Sequence, residues 1–347
     1  MISSGINLAE SGVLPDWIIR KGISNLQENR LKWARDRSPD DIEKHHQFWV
    51  EKLKKSPIAL VPEKANEQHY EVPPSFFKFS LGKNLKYSSG FWPNKNTTLD
   101  QSEEHMLSLT CAQAQLENGH NILELGCGWG SLTLFMASKY PNSTITAVSN
   151  SNDQKIFIEK TCEDRGYKNV QIITADMNDF NIESQFDRII SIEMFEHMRN
   201  YQVLLNKIYT WLIPGGKLYV HIFSHEKLVY PFEEEGEDDW MGRYFFSGGI
   251  MPSHQLLLYF QDHMKIEKTW RFSGNHYSRT SRAWLNKMDI NKMKILEVFS
   301  ESYGELNKKI WFQRWRMFYM ACEVLFGFRN GREWGVSHYR FIKPLNK

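Results

Sequence analysis

Extremes of charge are missing from this 347-residue chain: 43 Lys and Arg stand against 41 Asp and Glu, a formal net charge of +2. No bulk electrostatic case for nucleic acid follows from that balance. Cysteine is scarce and scattered: Cys111, Cys127, Cys162 and Cys322 lie no closer than 16 residues apart. Such spacing excludes a disulfide framework and a CxxC zinc site, so no metal is expected, and it reads as a reduced, cytoplasmic protein. No stretch approaches the ~18 apolar residues of a transmembrane helix. The opening MISSGINLAESGVLPDW lacks the basic-then-apolar pattern of a signal peptide. Gly (21) and Pro (12) are too few for a fibrous chain, and no internal repeat or low-complexity tract is present.

What is there is ordinary in bulk, with 41% hydrophobic and 24% charged residues, enough for a sizeable core. The length suits two domains, or one with a large insertion, at roughly 100–200 residues each. Aromatics are abundant, with 12 Trp, 14 Tyr and 22 Phe. Such a surplus fills a core or lines an apolar cavity.

Residues 14–36 have helical period, with Ile19, Ile23, Leu26 and Trp33 on one face. A second helix is predicted from Ser38 to about Lys55: Pro39 suits its first position, Asp40 and Asp41 its first turn, and Ser56-Pro57 its end. Amphipathic helices here either pack on the core or touch a membrane or the active site; packing on the core is the simpler expectation. From about residue 105 strands alternate with helices. NILELGCGWGS, STITAVSNS, NVQIITADM, FDRIISIEMF and GKLYVHIFSH supply five strands, with helical segments such as 152–165 and 200–212 between them. That alternation predicts a parallel sheet covered on both faces. Residues 225–262 interrupt it. KIEKTWRF and VSHYRFI are further strand candidates around two helical stretches near 280–302 and 305–326.

Glu124-Leu125-Gly126-Cys127-Gly128-Trp129-Gly130 follows the first strand and opens a helix. Its glycines permit a tight turn and close approach of a ligand, and the helix start offers free N–H groups. The pattern is acidic-x-G-x-G-x-G rather than G-x-G-x-x-G. An acidic residue there suits a ligand ammonium, which points to the methionine part of S-adenosylmethionine rather than to a pyrophosphate. Ser149-Asn150-Ser151 ends the second strand, where ribose hydroxyls would sit, and Ala175-Asp176-Met177 ends the third, where an adenine edge would sit.

With these motifs the sequence resembles the class I S-adenosylmethionine-dependent methyltransferases. More narrowly, it is similar to the cyclopropane-fatty-acid-synthase family and its coclaurine N-methyltransferase-like branch. The landmarks run from Gln68-His69-Tyr70-Glu71 through Lys86-Tyr87-Ser88-Ser89-Gly90-Phe91, Thr98-Leu99-Asp100 and Ser191-Ile192-Glu193-Met194-Phe195-Glu196-His197-Met198. They continue through Asp238-Asp239-Trp240, Ser247-Gly248-Gly249, Met251-Pro252-Ser253, Leu258–Asp262, His276-Tyr277 and Phe326-Gly327. The resemblance implies a Rossmann-like α/β fold with a mostly parallel seven-stranded sheet, an N-terminal helical extension and a mainly helical cap. It divides the chain into 1–100 (helical extension and cofactor-covering segment), 101–224 (cofactor-binding core) and 225–347 (substrate cap with the final strands). It also implies cofactor contacts at Tyr87, Ser88, Gly126, Gly128, Asn150, Gln154, Asp176 and Met177, beside the Glu124, Gly130 and Ser149 of the motifs.

If 193–197 turn helically, Glu193, Glu196 and His197 share a face. A carboxylate can hold an ammonium, and His or Glu can take the proton that an amine must lose before methylation. Without the resemblance, the acids are equally a helix start favoured by the dipole. The resemblance implies that lipid-cyclopropanating enzymes carry Gly at position 193 and Cys at 89, whereas the amine branch carries Glu and, like this chain, lacks that Cys. It leaves Glu196, His221 and Tyr277 as bicarbonate-type positions, which hold bicarbonate, line the substrate pocket, or form a ligand-free buried network. The run Glu233–Asp239 is a solvated loop or a lid edge. Trp240, Tyr244, Phe245, Phe246, Tyr259 and Phe260 suit a substrate cap or core packing. The expected activity is N-methylation of a small amine. The alternatives are methylene transfer to an unsaturated lipid acyl chain and a cofactor-binding protein without turnover. Oligomeric state stays open, with the N-terminal helical arm able to mediate a homodimer.

Overall fold

Apolar runs too short for helices become the strands of one sheet. The computed structural model describes residues 2–35, 37–60, 72–232, 236 and 239–345. Five parallel strands come first: β1 (Asn121–Leu125), β2 (Thr144–Ser149), β3 (Val170–Thr174), β4 (Phe186–Ile192) and β5 (Leu212–His225). A separate two-stranded ribbon follows, β6 (Tyr230–Pro231) with β7 (Ile250–Met251). Then β8 (Lys265–Ser273) and β9 (Trp334–Ile342) complete the main sheet, whose order is β3-β2-β1-β4-β5-β9-β8. β9 runs antiparallel to both of its neighbours. The order reverses between β1 and β4, and ligands of doubly wound sheets bind outside the strand ends at such a switch. The seven-stranded, mostly parallel sheet expected from the sequence is the one observed.

Before the sheet come α1 (Ile2–Glu10), α2 (Asp16–Arg35), α3 (Pro39–Lys54), α4 (Pro74–Ser80) and α5 (Leu99–Gln113). The start of α3 is fixed by a capping box: the Asp41 N–H donates to Ser38 Oγ and the Ser38 N–H to Asp41 Oδ2, both at 3.2 Å. Thr98 and Gln101 do the same for α5. Crossovers within the sheet are α6 (Ser131–Lys139), α7 (Asn152–Arg165) and α8 (Tyr201–Trp211). The cap holds α9 (Trp240–Tyr244), α10 (Asn275–Ile290), α11 (Lys292–Tyr303) and α12 (Lys308–Gly327). The stretch expected as one helix near 280–302 is therefore two. They meet at Asn291, whose Nδ2 donates to the Phe79 and Lys287 carbonyls and so fixes the bend.

The N-terminal helices pack on the cap rather than standing free. Arg316 of α12 pairs with Asp16 at 2.9 Å and with Asp289 at 2.7 Å, and Arg20 pairs with Glu323 at 3.1 Å. Glu10 takes both Arg314 Nε and Trp240 Nε1. One expected face is only partly realised. Ile19 is buried, but Leu26 is 40% exposed and edges an open groove with Ile23 and Arg30. The Trp33 side chain, residues 68–71, 233–235 and 237–238 lie outside the described residues. Most of the aromatic surplus is core: Trp211, Trp284, Trp315 and Trp334 are wholly buried. Among the described residues no helix is long and apolar enough to cross a membrane.

The junction between cap and sheet is tight at Gly274, where a Cβ would lie 2.1 Å from the Trp334 carbonyl oxygen and 2.2 Å from that of Phe326. Backbone atoms cannot yield as a flexible side chain does. Gly274→Ala is therefore expected to cost about 2–3 kcal/mol and to lower the thermal midpoint by roughly 5 °C or more; a midpoint unchanged in a calorimetric scan would contradict this packing.

Candidate active site

The turn after β1 is built by backbone that L side chains avoid. Gly126 (φ 79°) and Gly128 (φ 52°) are left-handed, and the N–H groups of Gly126 and Cys127 both donate to the Val148 carbonyl at 3.0 Å. A Cβ on Gly126 would lie 2.8 Å from that of Met194. A Cβ on Gly128 would meet nothing within 4 Å, because that face of the turn opens into empty space. Gly130 differs from expectation. It caps α6 and faces Ile158 instead of a cavity, so its role is packing.

Three adjoining cavities meet around this turn. The first lies along the ends of β1, β2 and β3, with Gly126, Gly128, Ser149, Asn150, Gln154, Asp176 and Met177 on its wall. The second lies behind the turn, against Tyr87, Ser88, Glu124 and Glu193. The third opens under the cap and is walled by Tyr87, Glu193, Glu196, His197 and Tyr277 together with Phe223, Phe246, Trp284, Phe318 and Phe326. Gly126 and Gly128 belong to the first and second, Tyr87 and Glu193 to the second and third, and His197 to the first and third. The site residues expected from the sequence thus converge, except Gly130 and His221. His221 is fully buried behind Glu193 and lies on none of these walls.

Several buried polar atoms on these walls lack a partner among the described residues: Gln154 Nε2, Trp129 Nε1, Ser131 Oγ and Glu196 Oε2. Buried polar groups are nearly always bonded, so unsatisfied ones at a cavity suit a polar ligand. Gln154 is itself set by Ser149, whose Oγ donates to its Oε1 at 2.6 Å. Glu124 accepts from Thr133 Oγ1 at 2.6 Å, and burial pushes its carboxyl up to about 8. A cation arriving beside it would draw it back toward the charged form. These features fit S-adenosylmethionine, with its ammonium, ribose and adenine, along the first two cavities.

At the third cavity the helical turn expected over 193–197 is not formed as such. Only Phe195–His197 make a turn of 3-10 helix. Glu193 precedes it in the left-handed region (φ 47°), unusual for a residue with a side chain. That conformation aims its carboxylate back at three donors. Oε1 accepts from the Ser89 N–H and faces His221 Nε2, both at 3.1 Å, and Oε2 accepts from the Tyr277 hydroxyl at 2.6 Å. Burial raises the Glu193 carboxyl above its ordinary range, opposed by Lys86, Tyr277 and the Ser89 N–H. Glu196 is raised well above its ordinary value by burial and then by the Glu193 charge. His221 is held neutral, its pKa driven well down by burial. The pair Glu193–Glu196 therefore resists carrying two charges, as closely spaced carboxyls do.

Bicarbonate does not fit the positions expected for it. His221 and Tyr277 are occupied by the Glu193 carboxylate, and a second anion there would sit buried against the first. Of the six aromatics expected over the substrate only Phe246 lines the third cavity. Trp240 is spent on Glu10, Tyr244 lies under Arg314 at 4.0 Å, Tyr259 donates to Glu43, and Phe245 and Phe260 are core. The actual apolar walls come largely from β5, α10 and α12, as Phe223, Trp284, Phe318 and Phe326. Those residues sit in runs whose period reads only as core packing. Lys86, on the second cavity, opens one of the landmark segments, but nothing in the sequence assigned it a role, since a lone lysine in a loop reads as solvated.

The sequence model of the mycolic acid cyclopropane synthetase family matches residues 61–332. (S)-Coclaurine N-methyltransferase of Thalictrum flavum subsp. glaucum is 39% identical over 96% of this chain and 94% of its own length. Pavine N-methyltransferase of the same plant is 36% identical over 99% and 97%. A solved coclaurine N-methyltransferase bound to N-methylheliamine and S-adenosylhomocysteine (SAH) superposes with a TM-score of 0.94 at 36% identity, covering 97% of this chain and 98% of that one.

The close Gly126–Met194 approach gives a direct check on the turn. Gly126→Ala is expected to weaken SAH binding at least tenfold by calorimetry, because both φ and the Met194 contact must change. Gly128→Ala, strained in φ but meeting no protein atom, should weaken it only if the ligand fills that space. Unchanged affinity in both variants would mean that the turn is no binding element.

Proposed function

The chain belongs to the mycolic acid cyclopropane synthetase family, and from that premise we propose that it methylates the nitrogen of a small aromatic, alkaloid-like amine. It is an S-adenosylmethionine-dependent methyltransferase. The observation that carries the acceptor class is Glu193. Its carboxylate stands where the cofactor cavities meet the apolar one, and two of its three donors, His221 and Tyr277, are the side chains that would otherwise hold an anion.

When bound, S-adenosylmethionine supplies an electrophilic methyl group on a sulfonium, which needs only a nucleophile with a free lone pair in line. The residues are assigned as follows. Glu124 receives the ammonium of the amino-acid end, Tyr87 and Ser88 cover that end, and the Gly126–Gly128 turn gives it room. Ser149, Asn150 and Gln154 serve the ribose, and Asp176 and Met177 the adenine edge. In the third cavity the aromatic walls take the ring system and exclude water. A carboxylate offers about four acceptor positions; Glu193 uses three on the protein, and the fourth is assigned to the acceptor nitrogen. Orientation by a fixed carboxylate replaces a random encounter with an aligned one.

Proton removal falls to Glu196 and His197. Burial raises both the Glu193 and Glu196 carboxyls and the Glu193 charge raises Glu196 further, and an arriving ammonium stabilises their ionised forms, which makes the pair a competent acceptor. His197, on the walls of both the first and third cavities, is the group through which that proton leaves. The raised Glu193 pKa fixes the direction of the pH dependence. Activity is present above it and is lost as pH falls through it, so the acid limb of kcat/KM lies above the ordinary carboxylate range.

The test is a methyl-transfer screen with labelled S-adenosylmethionine against primary, secondary and tertiary amines and against vesicles of unsaturated phospholipid. Label in an aromatic amine is expected, falling at least a hundredfold in Glu193→Gly. Label in lipid with Glu193→Gly still active would overturn the proposal in favour of methylene transfer.

A further inference from the structure

Lys86 is a buried cation that the reaction as described leaves unused. It is 2% exposed and sits on the wall of the second cavity with Glu124 and Glu193. Its Nζ donates to Ser88 Oγ at 2.5 Å and to the Ser89 carbonyl at 2.8 Å. The N–H of that same Ser89 donates to Glu193 Oε1. One residue thus joins the ammonium to the carboxylate. The loop is held from its other side by Glu103 of α5, whose carboxylate accepts from the N–H groups of Gly82, Asn84 and Lys86. An ammonium is rarely buried so completely without negative charge close by. Here Glu193 and Glu103 are the charges that favour its protonated form, against burial that lowers it to about 8.

We propose that Lys86 is a positioning residue for methyl transfer, holding the Ser89 backbone against Glu193 and keeping the Glu193 carboxylate ionised to receive the amine. The proposal rests on Glu193 being the group that receives it. The other groups around Glu193 do not supply the charge. His221 on β5 and His338 behind it on β9 are held neutral, mainly by burial, and the Lys86 charge adds to that effect. Tyr277 on α10 and Cys322 on α12 keep their protons, first through burial and then through the Glu193 charge. Glu196 and Glu124 are acids, both raised by burial, and bring no positive charge. Lys86 is the cation that opposes the burial of Glu193. Removing it moves the Glu193 pKa further up, so the carboxylate is lost at a higher pH.

Lys86→Met removes the charge and keeps the chain length, whereas Lys86→Arg keeps the charge. The readout is the carboxylic-acid C=O stretch of Glu193 in the ligand-free full chain, identified as the infrared band missing from Glu193→Gln and followed against pH. In Lys86→Met its midpoint is expected to rise by at least about one pH unit, a tenfold change in the acid constant, and in Lys86→Arg by only a few tenths. The acid limb of methyl transfer to the best amine of the panel should move with it. Should Lys86→Met not fold, Lys86→Gln keeps a donor to Ser88 and Ser89 without the charge and takes its place. A midpoint in either uncharged variant equal to that of wild type overturns the proposal. The infrared band needs no acceptor, so it decides the role of Lys86 even if no amine is methylated, an outcome that would instead count against the proposed function.

Discussion

A carboxylate buried at the meeting point of three cavities has to be compensated, and the rest of the site is arranged around that need. An isolated ionised carboxyl inside a protein is costly enough that it would rather take up a proton. Glu193 avoids this by drawing donors from three distant parts of the chain: the Ser89 N–H from the loop after α4, His221 from β5 and Tyr277 from α10. Those elements are N-terminal segment, sheet and cap respectively. Satisfying one side chain therefore fixes how the three regions sit together. The left-handed backbone of Glu193 is the local strain accepted for it.

The sheet supplies a rigid floor for this arrangement. β1 and β4 are neighbours at the point where strand order reverses, so Glu124 and Glu193 lie near the ends of adjacent strands on either side of the glycine turn. Tight contacts such as Gly126 against Met194 leave the turn little freedom. The cap contributes shape more than charge: its inward face is Tyr277, Trp284, Phe318 and Phe326, and these same rings continue into the core through Trp315 and Tyr319. Core and pocket are one aromatic body, which accounts for the composition without assigning every ring a role in binding.

What could be read from the sequence follows from how local each feature is. The strands were legible because a parallel strand buried on both faces is a short apolar run. The start of α3 was legible because Ser38, Pro39 and Asp41 act within one turn. The glycine turn and the ends of β2 and β3 announced the cofactor cavities for the same reason. What was not legible depends on contacts between remote segments. Nothing in the residues 193–197 says that Glu193 leaves the helical turn. Nothing at Lys86 says that it is buried, since the charges that face it, Glu103 of α5 and Glu193 after β4, arrive from remote segments. The aromatic substrate walls were sought in the segment 240–260, where aromatics are dense, yet of its rings only Phe246 lines the cavity; the other rings come largely from β5, α10 and α12, whose spacing signals packing alone. His221 was expected at the site and is one layer behind it, a difference that only the fold decides.

The most direct measurement is a crystal structure of the ternary complex with SAH and the methylated amine. The expected result places the methylated nitrogen within hydrogen-bond distance of Glu193, in line with the sulfur, while Ser89, His221 and Tyr277 still hold that carboxylate. A nitrogen seated away from both Glu193 and Glu196, or a Glu193 side chain displaced from its three donors by a bound anion, would contradict the role given to it here.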